Sequence, residues 1–295
     1  MILDQEITEI YWVFYERKKR MIIDAHQHFW NKDILNYPWL TPDIKELYRN
    51  FLPVDLEPLV KQNNVYRTVV VQATSSYDET DYLIELAEKN VFIGAVVGWV
   101  DLKQPDLEDV LSKLAKHKKL KGIRHQIEDE PDREWLIRPD VLRGLARVAR
   151  SNYVFDALLK HDQLWQLKVL NEKVPELNVV IDHAAKPNIA RSEFKGWADD
   201  MRAAAKLPVY CKISGLLTEA NHDCWKPCDF QRYVDCILDA FGTDRVMFGS
   251  DWPVSTMAAD YHTSVETISG LLDGLSPDEK EKIMFSNAKS FYAIE

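Results

Sequence analysis

The sequence predicts a single (β/α)₈ barrel, on three observations. Eight short runs rich in β-branched residues recur along the 295-residue chain, with starts roughly 25 to 43 residues apart, about the length of one strand–helix unit. Amphipathic helical patterns fill the gaps between them. The runs themselves read as nearly continuous apolar segments (VVVQA, FIGAVVGWV, NVVID) rather than alternating ones, as expected of parallel strands covered on both faces.

In chain order, the expected strands cover Ile22–His26, Val65–Gln72, Val91–Trp99, Leu120–His125, Tyr153–Leu158, Asn178–His183, Pro208–Ser214 and Arg245–Asp251. Helical periodicity marks Asp78–Lys89, Asp106–His117, Pro139–Arg150 and Gln163–Val174. Ser276-Pro277-Asp278-Glu279 is a capping box that opens a helix to about Tyr292. The long first connection, Phe29–Asn64, carries Trp30, Tyr37, Pro38, Trp39 and Tyr48, and on this fold would cover the mouth as a lid or specificity loop. No linker, low-complexity stretch or sequence repeat divides the chain, so residues 21–295 read as one domain. Residues 1–20 read as an extension. Asp4, Glu6 and Glu9 interrupt their apolar character, which excludes a secretory signal, and Ile10–Tyr15 is too short to cross a bilayer.

Composition narrows the class. The 37 Lys and Arg against 47 Asp and Glu give a net charge of −10, which argues against nucleic acid or an anionic membrane as partner and is compatible with a neutral substrate. Four cysteines in a chain of this length are no disulfide framework, so a reducing compartment, the cytoplasm, is expected. His222, Cys224 and Cys228 are too loosely spaced for an ordinary structural zinc site. A homo-oligomer is compatible with the sequence.

Chemistry-bearing residues gather at the predicted C-terminal strand ends, the face that carries function in barrels. Strand one ends in Asp24-Ala25-His26-Gln27-His28, strand four in Arg124-His125 and strand six in Asp182-His183. Strand seven carries Lys212, and strand eight ends in Asp251-Trp252-Pro253. His26 and His28, two apart on a strand, point the same way and can share one metal ion or one substrate group. Taken alone, such a pair also suits a hydrogen-bonded core; His183 and Asp251 at matching strand ends favour a site. Arg124 is either a substrate-binding cation or a structural partner of Asp156 or Asp182. Lys212 is either a substrate-binding group or the partner of a buried acid. Trp30, Trp39 and Trp252 suit the apolar face of a sugar, or ordinary core packing.

The segments DAHQHFW, KGIRHQIEDEPD, DHAAKP, CKISGL and MFGSDWPV, in this order at strand ends, resemble the amidohydrolase superfamily. Within it they resemble the L-fuconolactonase and L-rhamnonolactonase-like branch of sugar-lactone hydrolases, from about Met21 onward. The resemblance implies opening of a sugar lactone to its acid by an activated water, downstream of a sugar-oxidising dehydrogenase. It implies Asp251, His183, His28 and His26 as catalytic residues, with Asp251 the general base and His183 a proton donor. Arg124, His125, Trp30, Lys212 and Trp252 become substrate contacts. His26, His28, His183 and Asp251 become a single divalent-metal site, zinc first, with metal-free action by the same histidines the alternative. Strand four offers Arg124 and His125 where binuclear members carry a modified lysine, and strand five offers Asp156 where they carry a histidine, which disfavours a two-metal centre. Two rivals stand beside this reading: a metal-dependent decarboxylase or hydratase of an aromatic or unsaturated acid, and a non-catalytic barrel that binds a sugar acid.

Overall fold

The computed structural model describes residues 21–295; the expected extension, residues 1–20, lies outside the described residues. Eight parallel strands follow one another around the sheet in chain order: β1 (Ile22–Gln27), β2 (Val65–Val71), β3 (Ile93–Gly98), β4 (Leu120–Gln126), β5 (Val154–Leu158), β6 (Val179–Ile181), β7 (Tyr210–Ile213) and β8 (Val246–Phe248). A parallel bridge between Gln27 and Trp252 brings the first and last strands together. It is flanked by Asp251 N–H to His26 O at 2.8 Å and His28 N–H to Trp252 O at 2.7 Å. The (β/α)₈ barrel read from the sequence is therefore the fold.

Helices cover the outside: α1 (Pro53–Gln62), α2 (Tyr77–Lys89), α3 (Leu107–Leu114), α4 (Pro139–Arg150), α5 (Gln166–Lys173), α6 (Lys195–Ala204), α7 (Pro227–Phe241) and α8 (Tyr261–Leu271). Local chemistry sets their starts. The Ser76 hydroxyl accepts from Glu79 N–H before α2, and the Asp260 carboxylate accepts from Thr263 N–H before α8. The Ser276 capping box is formed, but the helix after it is not uniform. It runs as α9 (Pro277–Glu281), a π-helical turn (Lys282–Ser286) and α10 (Asn287–Phe291).

The core has two compartments. The larger lies between strands and helices. The smaller fills the barrel, where Ile23, Ala25, Val69, Val71, Ala95, Val97 and Val180 meet Phe285, Ala288, Tyr292 and Ile294 from below. The last helical segments thus close the barrel floor, and the Tyr292 hydroxyl donates to buried Asp156 at 2.8 Å.

Three departures from the expected elements bear on the site. Strand six stops at Ile181 and strand eight at Phe248, so Asp182, His183 and Asp251 sit in turns. The first connection, expected as a loop over the mouth, ends in the helix α1. In β1 the pairing with β2 gains one residue between Asp24 and Gln27. Ile23 and Ala25 face the interior while Asp24 accepts from the Tyr261 hydroxyl of α8, so strict alternation would send His26 outward. The bulge turns His26 back in. No helix among the described residues is long and apolar enough to cross a membrane.

Candidate active site

A cavity of about 230 Å³ opens at the C-terminal ends of the strands. His28, Arg124, His183 and Asp251 line it, together with Trp39, Gln126, Glu128, Asp129, Lys186 and Glu219. The volume suits a small ligand rather than a drug-sized one.

Asp251 is the focus. Its Oδ1 lies 3.5 Å from His28 Nε2, 3.8 Å from His26 Nε2 and 3.9 Å from His183 Nε2. Burial would raise its pKa; the three imidazoles, His183 foremost, outweigh burial and hold the carboxyl well below the usual range. Burial lowers the pKa of each histidine. His28 Nδ1 is 2.7 Å from the Val71 carbonyl, which can only accept. That nitrogen therefore carries the proton, and His28 Nε2 presents a bare lone pair to Asp251 and to His26 Nε2, 3.2 Å away.

A lone pair and a carboxylate oxygen converging without a proton between them suit a cation. Tetrahedral zinc would set nitrogen and oxygen ligands roughly 3.3 Å apart. The observed separations, 3.2 to 3.9 Å, fit that donor set with small movements. His26, Asp182 and His183 form a second grouping within metal-ligand reach. Asp182, however, is already met by Lys212 Nζ at 3.0 Å and Arg124 Nη1 at 3.3 Å. Positive charge is thus supplied there by the protein, which leaves His26, His28 and Asp251, with His183 beside them, as the cradle. Among the described residues neither grouping includes His222, Cys224 or Cys228.

A buried charge network lies under the cradle. Lys212 Nζ contacts Asp156 at 2.5 Å, Asp182 at 3.0 Å and His26 Nδ1 at 3.1 Å. Burial pushes Asp156 up to about 6 even beside this ammonium. Arg124 donates to the Gln72 carbonyl and side chain and lies 3.2 Å from His26 Nε2.

His183 is delivered by an unusual backbone. His183, Ala184, Ala185 and Lys186 all have positive φ, between 49° and 54°, making a left-handed turn of four residues with side chains. Such a conformation costs roughly 1–2 kcal/mol per residue. The turn is held by Lys186 N–H donating to His183 O (2.8 Å) and by the Trp197 indole donating to Ala184 O (2.7 Å). Asp251 is also left-handed, with φ 57°. Strain of this kind gathers at functional sites.

The structure brings His26, His28, His183, Asp251 and Arg124 together and leaves four expected substrate contacts elsewhere. His125 stacks on Trp135 at 3.8 Å, its Nε2 is 2.6 Å from Glu130, and its Nδ1 accepts from the Trp99 indole. Adjacent strand residues face opposite sides, so with Arg124 inward His125 faces the helices. Trp30 is buried against Phe51 and Trp39. Trp252 is buried against Phe29 and Phe51. Lys212 is wholly enclosed, a structural ion-pair partner rather than a cavity residue. Trp39 does reach the cavity, anchored through its indole N–H on the Ala73 carbonyl at 2.7 Å. Sequence reasoning missed Glu128, Asp129, Lys186 and Glu219, although DHAAKP and KGIRHQIEDEPD contain three of them.

The chain is similar to known proteins over most of its length. L-fucono-1,5-lactonase of Burkholderia ambifaria is 38% identical over 280 residues, covering 92% of this chain and 96% of that protein. L-fucono-1,5-lactonase of Burkholderia multivorans is 36% identical over 287 residues, covering 92% and 96%. The crystal structure of an amidohydrolase from Burkholderia multivorans with bound zinc superposes with a TM-score of 0.88 at 36% identity, covering 93% of this chain and all of that one. The amidohydrolase family profile matches residues 23–294, so the chain belongs to the amidohydrolase family.

Proposed function

We propose that this protein hydrolyses a sugar lactone of the L-fucono type to the open-chain sugar acid. The observation that carries the reading is Asp251, whose carboxylate lies within 3.9 Å of the imidazoles of His26, His28 and His183 at a small polar cavity. The likeness to the two L-fucono-1,5-lactonases supports the substrate class.

The reaction divides among this chain's own groups. Asp251 accepts a proton from water, and the resulting hydroxide adds to the lactone carbonyl. Arg124, fixed by Gln72 and Asp182, offers positive charge to the developing oxyanion. As the acyl–oxygen bond breaks, the proton on Asp251 passes to the ring oxygen, directly or through His183 Nε2. The new carboxylic acid loses its own proton to solvent, so one proton appears per turnover. His26, His28, His183 and Asp251 would hold the metal, zinc by the donor set, which when bound supplies a more acidic water and Lewis-acid polarisation.

The test is acid release from a panel of sugar lactones, with and without chelator and added zinc. Saturable release on L-fucono- or L-galactono-lactone is expected. Asp251→Asn should lose at least about a thousandfold in kcat while remaining folded by circular dichroism. Near-full turnover in that variant would refute the assignment. Silence of the unaltered enzyme on every lactone would favour the decarboxylase or hydratase reading.

A further inference from the structure

One wall of the cavity has no part in the chemistry above. Lys186 and Glu128 face each other across it, Nζ to Oε1 2.6 Å, with Asp129 and Glu219 on the same lining. Burial works against the Lys186 charge, but Glu128 more than restores it, and the amine's pKa rises above the ordinary lysine value. Lys186 is thus a fixed ammonium and a poor proton donor in catalysis. It has three N–H donors, and Glu128 is its one hydrogen-bond partner among the described residues. The backbone gives an independent reason to look here. Lys186 ends the strained left-handed turn that begins at His183, and residues three apart in so tight a turn share a side. The conformation that brings His183 to Asp251 therefore brings Lys186 into the same cavity.

Resting on the lactonase reading, we propose that the Lys186–Glu128 pair is the specificity-determining subsite for the hydroxyl groups of the lactone ring, and that the wall selects neutral polyhydroxylated lactones against carboxylate-bearing ones. Lys186 donates to one hydroxyl oxygen, and the remaining lone pairs of Glu128 accept from its neighbour. A vicinal diol presents that donor and acceptor together. Three carboxylates, Glu128, Asp129 and Glu219, stand against Lys186 on this wall, so a negative charge on the ligand meets net repulsion there.

The experiment measures KM and kcat for L-galactono-1,4-lactone, and the inhibition constant of the carboxylate-bearing D-glucaro-1,4-lactone. The enzymes compared are the unaltered protein, Lys186→Met and Glu128→Gln, each with a melting curve. Loss of charge-assisted hydrogen bonds in Lys186→Met should lower kcat/KM about ten- to a hundredfold, the larger share in KM. The two variants should move the inhibition constant in opposite directions. Lys186→Met leaves the wall more negative and weakens binding of the acid severalfold, whereas Glu128→Gln strengthens it severalfold. A purely structural role would weaken both ligands in both variants. Should Lys186→Met fail to fold, Glu128→Gln alone decides, because only an electrostatic wall predicts tighter binding of the acid. A KM within twofold of the parent in both variants, or inhibition constants that move together, overturns the assignment and leaves the lactonase reading standing. If the unaltered enzyme opens no lactone, the lactonase reading fails and this proposal falls with it.

Discussion

Glu79 shows at the scale of one residue how the barrel mouth is held. Its carboxylate lies in the first turn of α2, wholly buried, and accepts from Ala73 N–H at 3.0 Å and Thr74 N–H at 2.9 Å. It thereby fixes the turn whose Ala73 carbonyl anchors Trp39. Burial is the largest influence and pushes its pKa to about 7 against hydrogen bonds that favour ionisation. The folded protein keeps this proton to near neutrality while the unfolded chain releases it near the ordinary glutamate value of 4.5. Between those limits the folded state binds more protons, so the stabilisation is complete below about 4.5 and is lost as pH rises through about 7. The full excursion is about 3 kcal/mol. Glu79→Gln, which cannot ionise, should therefore gain several degrees in Tm relative to the parent as pH goes from 5 to 8. A pH-independent difference in Tm between the two proteins would refute this. Residue types at this scale were legible: His26, His28, His183, Arg124 and Asp251 stand out by kind and by position. Their partners were not, because Gln72, which accepts from Arg124, and Ser214, whose hydroxyl lies 2.9 Å from His183 Nδ1, come from other parts of the chain and carry no signal of their own.

At the scale of elements, periodicity told more than boundaries did. Near-continuous apolar runs announced all eight strands, because a buried parallel strand needs apolar side chains on both faces. The left-handed turn after β6 was not legible, since His-Ala-Ala-Lys has no glycine to advertise positive φ. The bulge in β1 was equally silent, and the pairing of His26 with His28 depends on it. The misplacement of His125 has a different cause. The alternation that sends it away from Arg124 is a property of any strand, and the parity of neighbouring residues decides which of two polar side chains enters a barrel. Gly215 tests the same layer. It has φ +64°, and a Cβ there would stand 2.7 Å from His183 Nδ1. Gly215→Ala should cost about 1–2 kcal/mol in backbone strain, visible as a few degrees in Tm. By displacing His183 it should also lower kcat/KM more than tenfold. Parental activity with a parental melting curve would show that His183 tolerates the added methyl group and that its position is not set here.

For the whole molecule, the architecture followed from strand count and spacing, but the two-compartment core did not. The inner compartment is completed by residues far away in sequence. Tyr292 donates to Asp156 across 136 positions and lies under Lys212, 5.4 Å from its ring centroid. No local pattern announces such a contact. Tyr292→Phe keeps the ring and removes the hydroxyl, leaving the buried Asp156 carboxylate one donor short. A loss of about 1–3 kcal/mol in denaturant unfolding is expected. An unchanged midpoint would mean that Lys212 alone satisfies Asp156.

That closing contact also sets an order of events during synthesis. The helical segments that seal the barrel floor follow all eight strands along the chain. On the ribosome, the last strand can emerge and pair while the segments that bring Phe285 and Tyr292 are still inside the exit tunnel. Until they appear, the inner compartment stays open to water and Asp156 lacks its phenol. The nascent barrel is then a vessel without a base.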